Sequence, residues 1–276
     1  DQLAEDGSLE HVTFQFLNEP LLHPKIEELL NYAHGVGLRS LVSTNGTILN
    51  ERILNLLVRT SPSLLKISVQ DVNPDTFKVV KGTKMDISEF KRRIANLIRL
   101  RLNEPAFKSR LELDVAVPVR DGSAYSAWFR KRSWVEKLLG VAFTDQTIND
   151  ADSVLLGHLK DFLKYLEKEA GAKIDWDRFV PDLMHTKTWD REYLPTARIG
   201  PNINLELKSF NDWIGIDQHK PITYGSCARL NHVVINYHGD FQLCCSDTHG
   251  KTAIGNVFHD KIKDIVSRPD GLAKIL

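Results

Sequence analysis

Strand-like and helix-like patterns alternate through the first 118 residues, and this alternation limits the folds open to the chain more than any other feature. Apolar, β-prone runs fall at 11–17, 38–43, 64–69 and 110–118, and amphipathic runs at 25–36, 50–59 and 86–100 lie between them. In 25–36 the helical period puts Ile26, Leu29, Leu30 and Ala33 on one face, and Gly35 and Gly37 supply the stop. In 86–100 it gathers Phe90, Ile94, Leu97 and Ile98, while Asn50 stands where the helix of 50–59 needs a cap. The spacings, about 25–45 residues, are long enough for crossovers between parallel neighbours. The expected fold class is therefore α/β, a partial (β/α) barrel of parallel strands with helices outside. Ligands in such folds bind where the strands end.

Residues 162–170 read as a partly exposed helix, and 193–207 as a loop followed by a strand. From about residue 222 the texture changes. "HVVINYHGDFQLCCSD" alternates, turns at His238-Gly239-Asp240 and alternates again, which predicts a β-hairpin. A domain boundary is placed near residue 215, giving units 1–215 and 216–276. With 276 residues the chain can form one large domain or two ordinary ones. Its 36 basic residues balance 36 acidic ones, so charge points to no nucleic acid and no anionic membrane surface. No run of 18 apolar residues and no signal peptide is present, which leads to the expectation of a cytoplasmic protein without a membrane span. The opening at Asp1, with a strand following at once, suggests a piece of a longer chain.

Three strand ends carry short polar groups that could hold an amine, a carboxylate or sugar hydroxyls. The first gives Asn18, Glu19 and Pro20; the second Ser43, Thr44 and Asn45; the third Ser68, Gln70 and Asp71. Each set is as readily local, since Asn45-Gly46 is a common turn and Ser or Asn often caps a following helix. The tripeptide Asn18-Glu19-Pro20 recurs as Asn103-Glu104-Pro105, but that copy follows a helix and precedes a strand. It belongs to the opposite rim, where Glu104 is expected to be a solvated turn carboxylate. "GVGLRS" lacks the third glycine of a dinucleotide fingerprint and precedes a strand, and "NGT" is a sequon without a secretory route. The loops 119–150 and 171–200, with His185 and Trp189, carry no readable motif.

Only three cysteines occur, Cys227, Cys244 and Cys245. An odd, clustered set argues against a disulfide framework. A hairpin that returns two thiolates to one point could hold iron–sulfur or zinc, and three small apolar residues could equally be buried in a β-layer.

"VTFQFLNEPLLHPKIEELLNYAHGVGLRSLVSTNGTIL" resembles the second and third barrel strands of radical S-adenosylmethionine (SAM) enzymes, with Leu17-Asn18-Glu19-Pro20 where those often read GGEP. "SCARLNHVVINYHGDFQLCCSDTHGKTAIGNVF" resembles the start of their SPASM or twitch extension. The resemblance implies a catalytic 4Fe-4S cluster that reduces SAM to a 5′-deoxyadenosyl radical, and an auxiliary 4Fe-4S cluster. It implies a peptide or small-molecule substrate and an electron donor such as flavodoxin or ferredoxin. Glu19, with the backbone at Asn18 and Pro20, would bind the SAM amino group, with Ser43, Thr44 and Asn45 on the same rim. Ser68 and Gln70 would face the ribose or carboxylate. Cys227 and Cys244 would ligate the auxiliary cluster, with Cys245 beside them.

The family's CxxxCxxC motif is not in these residues and would be expected just before Asp1. The chain as it stands is expected to be inactive, and later cluster cysteines are expected beyond Leu276. A family member without that loop is an alternative. Two further readings stay open: a non-radical α/β barrel enzyme using Glu19 as acid or base, and a structural zinc module on Cys227, Cys244, Cys245 and His249.

Overall fold

A computed structural model describes residues 10–15, 18–117, 150–177, 196–209, 234–243, 247 and 249–267. Its larger sheet has the strands β1 (His11–Phe14), β2 (Arg39–Thr44), β3 (Leu64–Gln70), β4 (Arg110–Val117), β5 (Thr196–Gly200) and β6 (Ile203–Ser209), in the order β1-β2-β3-β4-β6-β5. Every neighbouring pair from β1 to β6 is parallel, as the alternation predicts. Helices α1 (Ile26–Gly35), α2 (Glu51–Thr60), α3 (Phe77–Lys81), α4 (Ile87–Asn103) and α5 (Asp150–Ala170) complete this part. The α/β class is confirmed, with the carboxyl ends of β1, β2, β3, β4 and β6 on one rim.

The period of two divides each strand. In β3, Leu65, Ile67 and Val69 are fully buried; in β4, Leu111, Leu113 and Val115 are. They share one core with Phe90, Ile94, Leu97 and Ile98 of α4 and Phe162, Leu163 and Leu166 of α5. Each such side chain contributes about 1.5–3 kcal/mol by leaving water. The alternate residues Lys66, Ser68, Glu112, Asp114 and Glu206 occupy the other face, so the sheet has an apolar side under helices and a polar side.

The Asn50 carboxamide caps α2, accepting from the Ile53 amide at 3.1 Å. Gly35 ends α1 and Gly37 follows with φ +79°. One inward expectation fails in α1: Leu29 is 39% exposed while Ile26, Leu30 and Ala33 are buried. The buried stripe of this short helix follows the i, i+4, i+7 row, and Leu29 lies at its outer edge.

The second Asn-Glu-Pro lies where expected. Asn103 ends α4, and among the described residues the Glu104 carboxylate accepts only a local bond, from the Ala106 amide at 3.2 Å. The reading of 193–207 as a loop and one strand is incomplete. Residues from Thr196 to Ser209 form an antiparallel hairpin, β5 on β6, turning at Pro201-Asn202 with Asn202 at φ +59°. Arg198, Gly200 and Pro201 hide β5 from a pattern search, and only pairing with β6 defines it as a strand.

A separate three-stranded antiparallel sheet contains β7 (Val234–Ile235), β8 (Asp240–Gln242) and β9 (Ala253–Asn256), followed by α6 (Ile262–Ser267). The predicted hairpin is β7 and β8, turning through Gly239 at φ +83°. Phe241, Ile262 and Ile265 form its small core. Cys227, Cys244, Cys245, His185, Trp189 and the boundary near 215 lie outside the described residues.

Candidate functional site at the strand ends

The chain leaves β1 and reaches the turn Pro20–Leu22 through Glu19, whose extended backbone (φ −100°, ψ 103°) caps that turn. Glu19 Oε1 accepts from the Leu21 amide at 3.2 Å and from Thr44 Oγ1 at 2.8 Å, and Oε2 from the Asn45 amide at 2.7 Å. The carboxylate is therefore fixed against the end of β2. Thr44 is 1% exposed, and its hydroxyl also accepts from the Gly46 amide at 3.1 Å. Gly46 is obligatory: φ is +76°, and a Cβ would stand 3.1 Å from Ile67 Cγ2 and from Phe90 Cε2. Among the described residues Oε2 accepts one hydrogen bond, leaving a lone pair for a further donor.

The sequence-predicted residues divide into groups. Glu19, Thr44 and the Asn45 backbone come together. The Asn45 side chain serves its own turn, accepting from the Thr47 amide and hydroxyl at 2.8 and 2.6 Å. Pro20 is buried in the turn and Asn18 is exposed beside it. Ser43 and Ser68 lie on the polar face, Ser43 opposite Lys66 and Ser68 opposite Asp114. Gln70 sits in a β-bulge with φ +63°. Asp71 is structural, accepting from the Asn73 amide at 2.9 Å and Thr76 Oγ1 at 2.5 Å.

Pattern reading missed the charged residues. Lys66 Nζ lies 3.1 Å from Glu112 Oε2, 3.2 Å from Glu206 Oε2 and 3.9 Å from Asp114 Oδ1, tying β3, β4 and β6 together on the polar face. Burial disfavours its ammonium, but Asp114, Glu206 and Glu112 outweigh this and raise its pKa. The signal was present as charged residues at alternate positions in otherwise apolar strands, "LLKISV" and "RLELDV".

Lys81 was missed too. Its amine donates to the Ser68 carbonyl and sits 5.0 Å from the centre of the Phe90 ring. Burial pushes its pKa down to about 7, although Glu19 and Asp114 pull it upward. No periodic signal distinguishes Lys81 from its neighbours Lys78 and Lys84.

A groove of about 700 Å³ runs between α2 and α4, lined by Asn50, Leu54, Arg92, Arg93, Arg99 and Asn103 among others. Its lining comes from the two helices and the residues just before α2, and Glu19 is not part of it. Among the described residues no group of three His, Cys, Asp or Glu side chains is placed to hold a metal ion. No helix among them is long and apolar enough to cross a membrane.

In parallel α/β sheets ligands bind where the strands end, and here that rim carries a polar face and an oriented carboxylate. Residues 1–110 match the family model of the radical SAM superfamily, and residues 227–274 match that of the iron–sulfur cluster-binding SPASM domain. The S-adenosylmethionine-dependent nucleotide dehydratase of Flammeovirga pacifica is 29% identical over 183 residues, 63% of this chain and 58% of that protein. Streptococcus suis SuiB bound to its precursor peptide SuiA superposes with a TM-score of 0.52 at 14% identity, covering 99% of this chain and 57% of SuiB. SuiB bound to S-adenosylmethionine gives 0.53 at 14% identity. At that identity the likeness to SuiB is one of fold. The chain spans just under three fifths of the length of these relatives.

Proposed function

We propose that the whole protein is a radical SAM enzyme that modifies a peptide or a small metabolite by hydrogen-atom abstraction. The observation that carries this reading is the Glu19 carboxylate, held at the strand-end rim by Thr44 Oγ1 and the Asn45 amide. It fits an ammonium such as that of SAM: a charged acceptor, already oriented, with a lone pair remaining. Bound SAM and a reduced 4Fe-4S cluster supply the 5′-deoxyadenosyl radical. The residues of this chain orient and enclose. Thr44 and the Asn45 backbone fix Glu19, the β3 bulge presents Ser68 and Gln70 to the ribose or carboxylate, and Lys66 locks the polar face.

The proposed units are 1–215, the barrel part, and 216–276, the cluster-binding part. Cys227 and Cys244 would hold an auxiliary cluster with Cys245 adjacent, because thiolates are the donors that iron–sulfur centres require. The relatives support two substrate classes, a nucleotide by the dehydratase's name and a peptide by the SuiB complex. The electron donor is proposed to be a flavodoxin or ferredoxin, and the compartment the cytoplasm.

A second reading, a non-radical enzyme using Glu19 as acid or base, draws on the Lys81 charge acting on Glu19. Three donors to the Glu19 carboxylate favour a fixed acceptor instead.

The test is iron, sulfide and electron-spin analysis, under anaerobic conditions, of the protein expressed from its complete gene. A SAM-sensitive 4Fe-4S signal, with a second cluster lost on Cys227→Ala, is expected. Zinc alone, or no metal, overturns the reading.

A further inference from the structure

The rim contains one amine that the proposed function does not use. Lys81 is the last residue of α3, a single turn anchored by Phe77, which is fully buried and packs at a tilt against Phe90 with ring centres 5.1 Å apart. Gly82 follows in the left-handed region at φ +59° and stops the helix, so the lysine stem turns back toward the sheet end. There its amine reaches the Ser68 carbonyl. This carbonyl stands where the β3–β4 register shifts, between Ser68 and Gln70. The next carbonyl, of Val69, accepts from the Asp71 amide at 2.8 Å. Backbone groups freed by a bulge at a covered sheet end need partners, and Lys81 is the partner for Ser68.

Two carboxylates act on the same amine from other elements: Glu19 from the loop after β1 and Asp114 from β4. Asp114 in turn faces Lys66 at 3.9 Å, and α4 offers the uncharged Phe90 ring. Lys81 thus bonds the end of β3 and lies in the field of two carboxylates, one after β1 and one on β4.

We propose that Lys81 is a positioning residue of the strand-end site, whose ammonium holds the β3 bulge and thereby sets the stance of Ser68 and Gln70 toward SAM. The inference rests on the radical SAM reading. It adds a residue to the site and a pH dependence to its affinity. The ammonium form is the stronger donor to a carbonyl. With the pKa pushed down to about 7, the hold weakens as the pH rises from about 6 to 8. Fold stability follows the opposite sign. The unfolded chain retains the lysine proton up to about pH 10.4 while the folded site releases it near 7, so Lys81 makes stability rise with pH between those values.

The test uses the complete, cluster-loaded protein and three variants: Lys81→Met, Lys81→Arg and, as a control, Glu19→Ala. Calorimetry gives SAM affinity from pH 6 to 8.5, and thermal unfolding gives the midpoint from pH 7 to 10. Lys81→Met is expected to weaken SAM binding about 10-fold, the size of one charge-assisted hydrogen bond. It should also flatten the rise of the midpoint with pH. Lys81→Arg should recover most of the affinity and keep it level across the pH range, since a guanidinium stays charged. The difference between wild type and Lys81→Arg isolates the lysine from the titration of SAM itself. SAM affinity within twofold of wild type in Lys81→Met, with binding lost in Glu19→Ala, overturns the role of Lys81 and leaves the radical SAM reading standing. Wild-type affinity in Glu19→Ala overturns that reading as well.

Discussion

Thr44→Val removes one oxygen atom at nearly constant volume and strikes the joint on which the site depends. Thr44 Oγ1 donates to Glu19 Oε1 at 2.8 Å and accepts from the Gly46 amide at 3.1 Å, and the residue is 1% exposed. Valine leaves the buried Gly46 amide without this acceptor, at a cost of about 1–3 kcal/mol. It also deletes a hydrogen bond to a charged group, although Glu19 keeps its bonds from the Leu21 and Asn45 amides. Together these give ~2.5 kcal/mol. At roughly 2–4 °C per kcal/mol for a chain of this size, the thermal midpoint should fall by about 5–10 °C. Glu19, held by two donors instead of three, should also lose orientation, and SAM affinity should drop about 10-fold. Thr44→Ser restores the hydroxyl and should recover most of both losses. Circular dichroism melting and calorimetry with SAM read the two effects separately. A Thr44→Val protein melting within about 1 °C of wild type and binding SAM equally well would refute the idea that Thr44 fixes Glu19.

Other outcomes follow from single features. Gly46→Ala should destabilise by about 2 kcal/mol or more, since alanine must adopt φ +76° and its Cβ meets Ile67 and Phe90 at 3.1 Å; a wild-type denaturation midpoint would contradict this. Lys66→Met leaves Glu112, Asp114 and Glu206 facing one another and should cost about 3 kcal/mol in chemical denaturation. Adding Glu206→Gln, or lowering the pH until the carboxylates protonate, should return part of that loss. In wild type the Lys66 contribution is fully present below the unfolded lysine pKa, about 10.4, and is lost at higher pH because its folded pKa is raised. Glu19→Ala in the complete protein should abolish 5′-deoxyadenosine formation while far-ultraviolet circular dichroism stays native; undiminished product would remove Glu19 from the site.

Local sequence determined the elements of this protein. The 3.6-residue period placed Phe90, Ile94, Leu97 and Ile98 inward in α4, and the two-residue period split β3 into Leu65, Ile67 and Val69 against Lys66 and Ser68. The polar strand ends were legible because Glu19, Thr44 and Asn45 interrupt apolar runs, and the β7–β8 hairpin because alternation flanks a Gly turn. Tertiary structure decided which polar residues meet. Asn45 and Asp71 read like ligand contacts, yet their side chains close local turns. Glu19 needs Thr44, 25 positions away, to become an oriented acceptor. The Lys66 network joins three strands drawn from residues 66 to 206, and β5 is a strand only because β6 lies beside it. Lys81, one lysine among several in its stretch, gains its shifted pKa from burial against Ser68 and Phe90. Periodicity records which way a side chain faces along its own element. Charge pairing, desolvation and strand partners depend on distances between elements, and those exist only once the chain has folded.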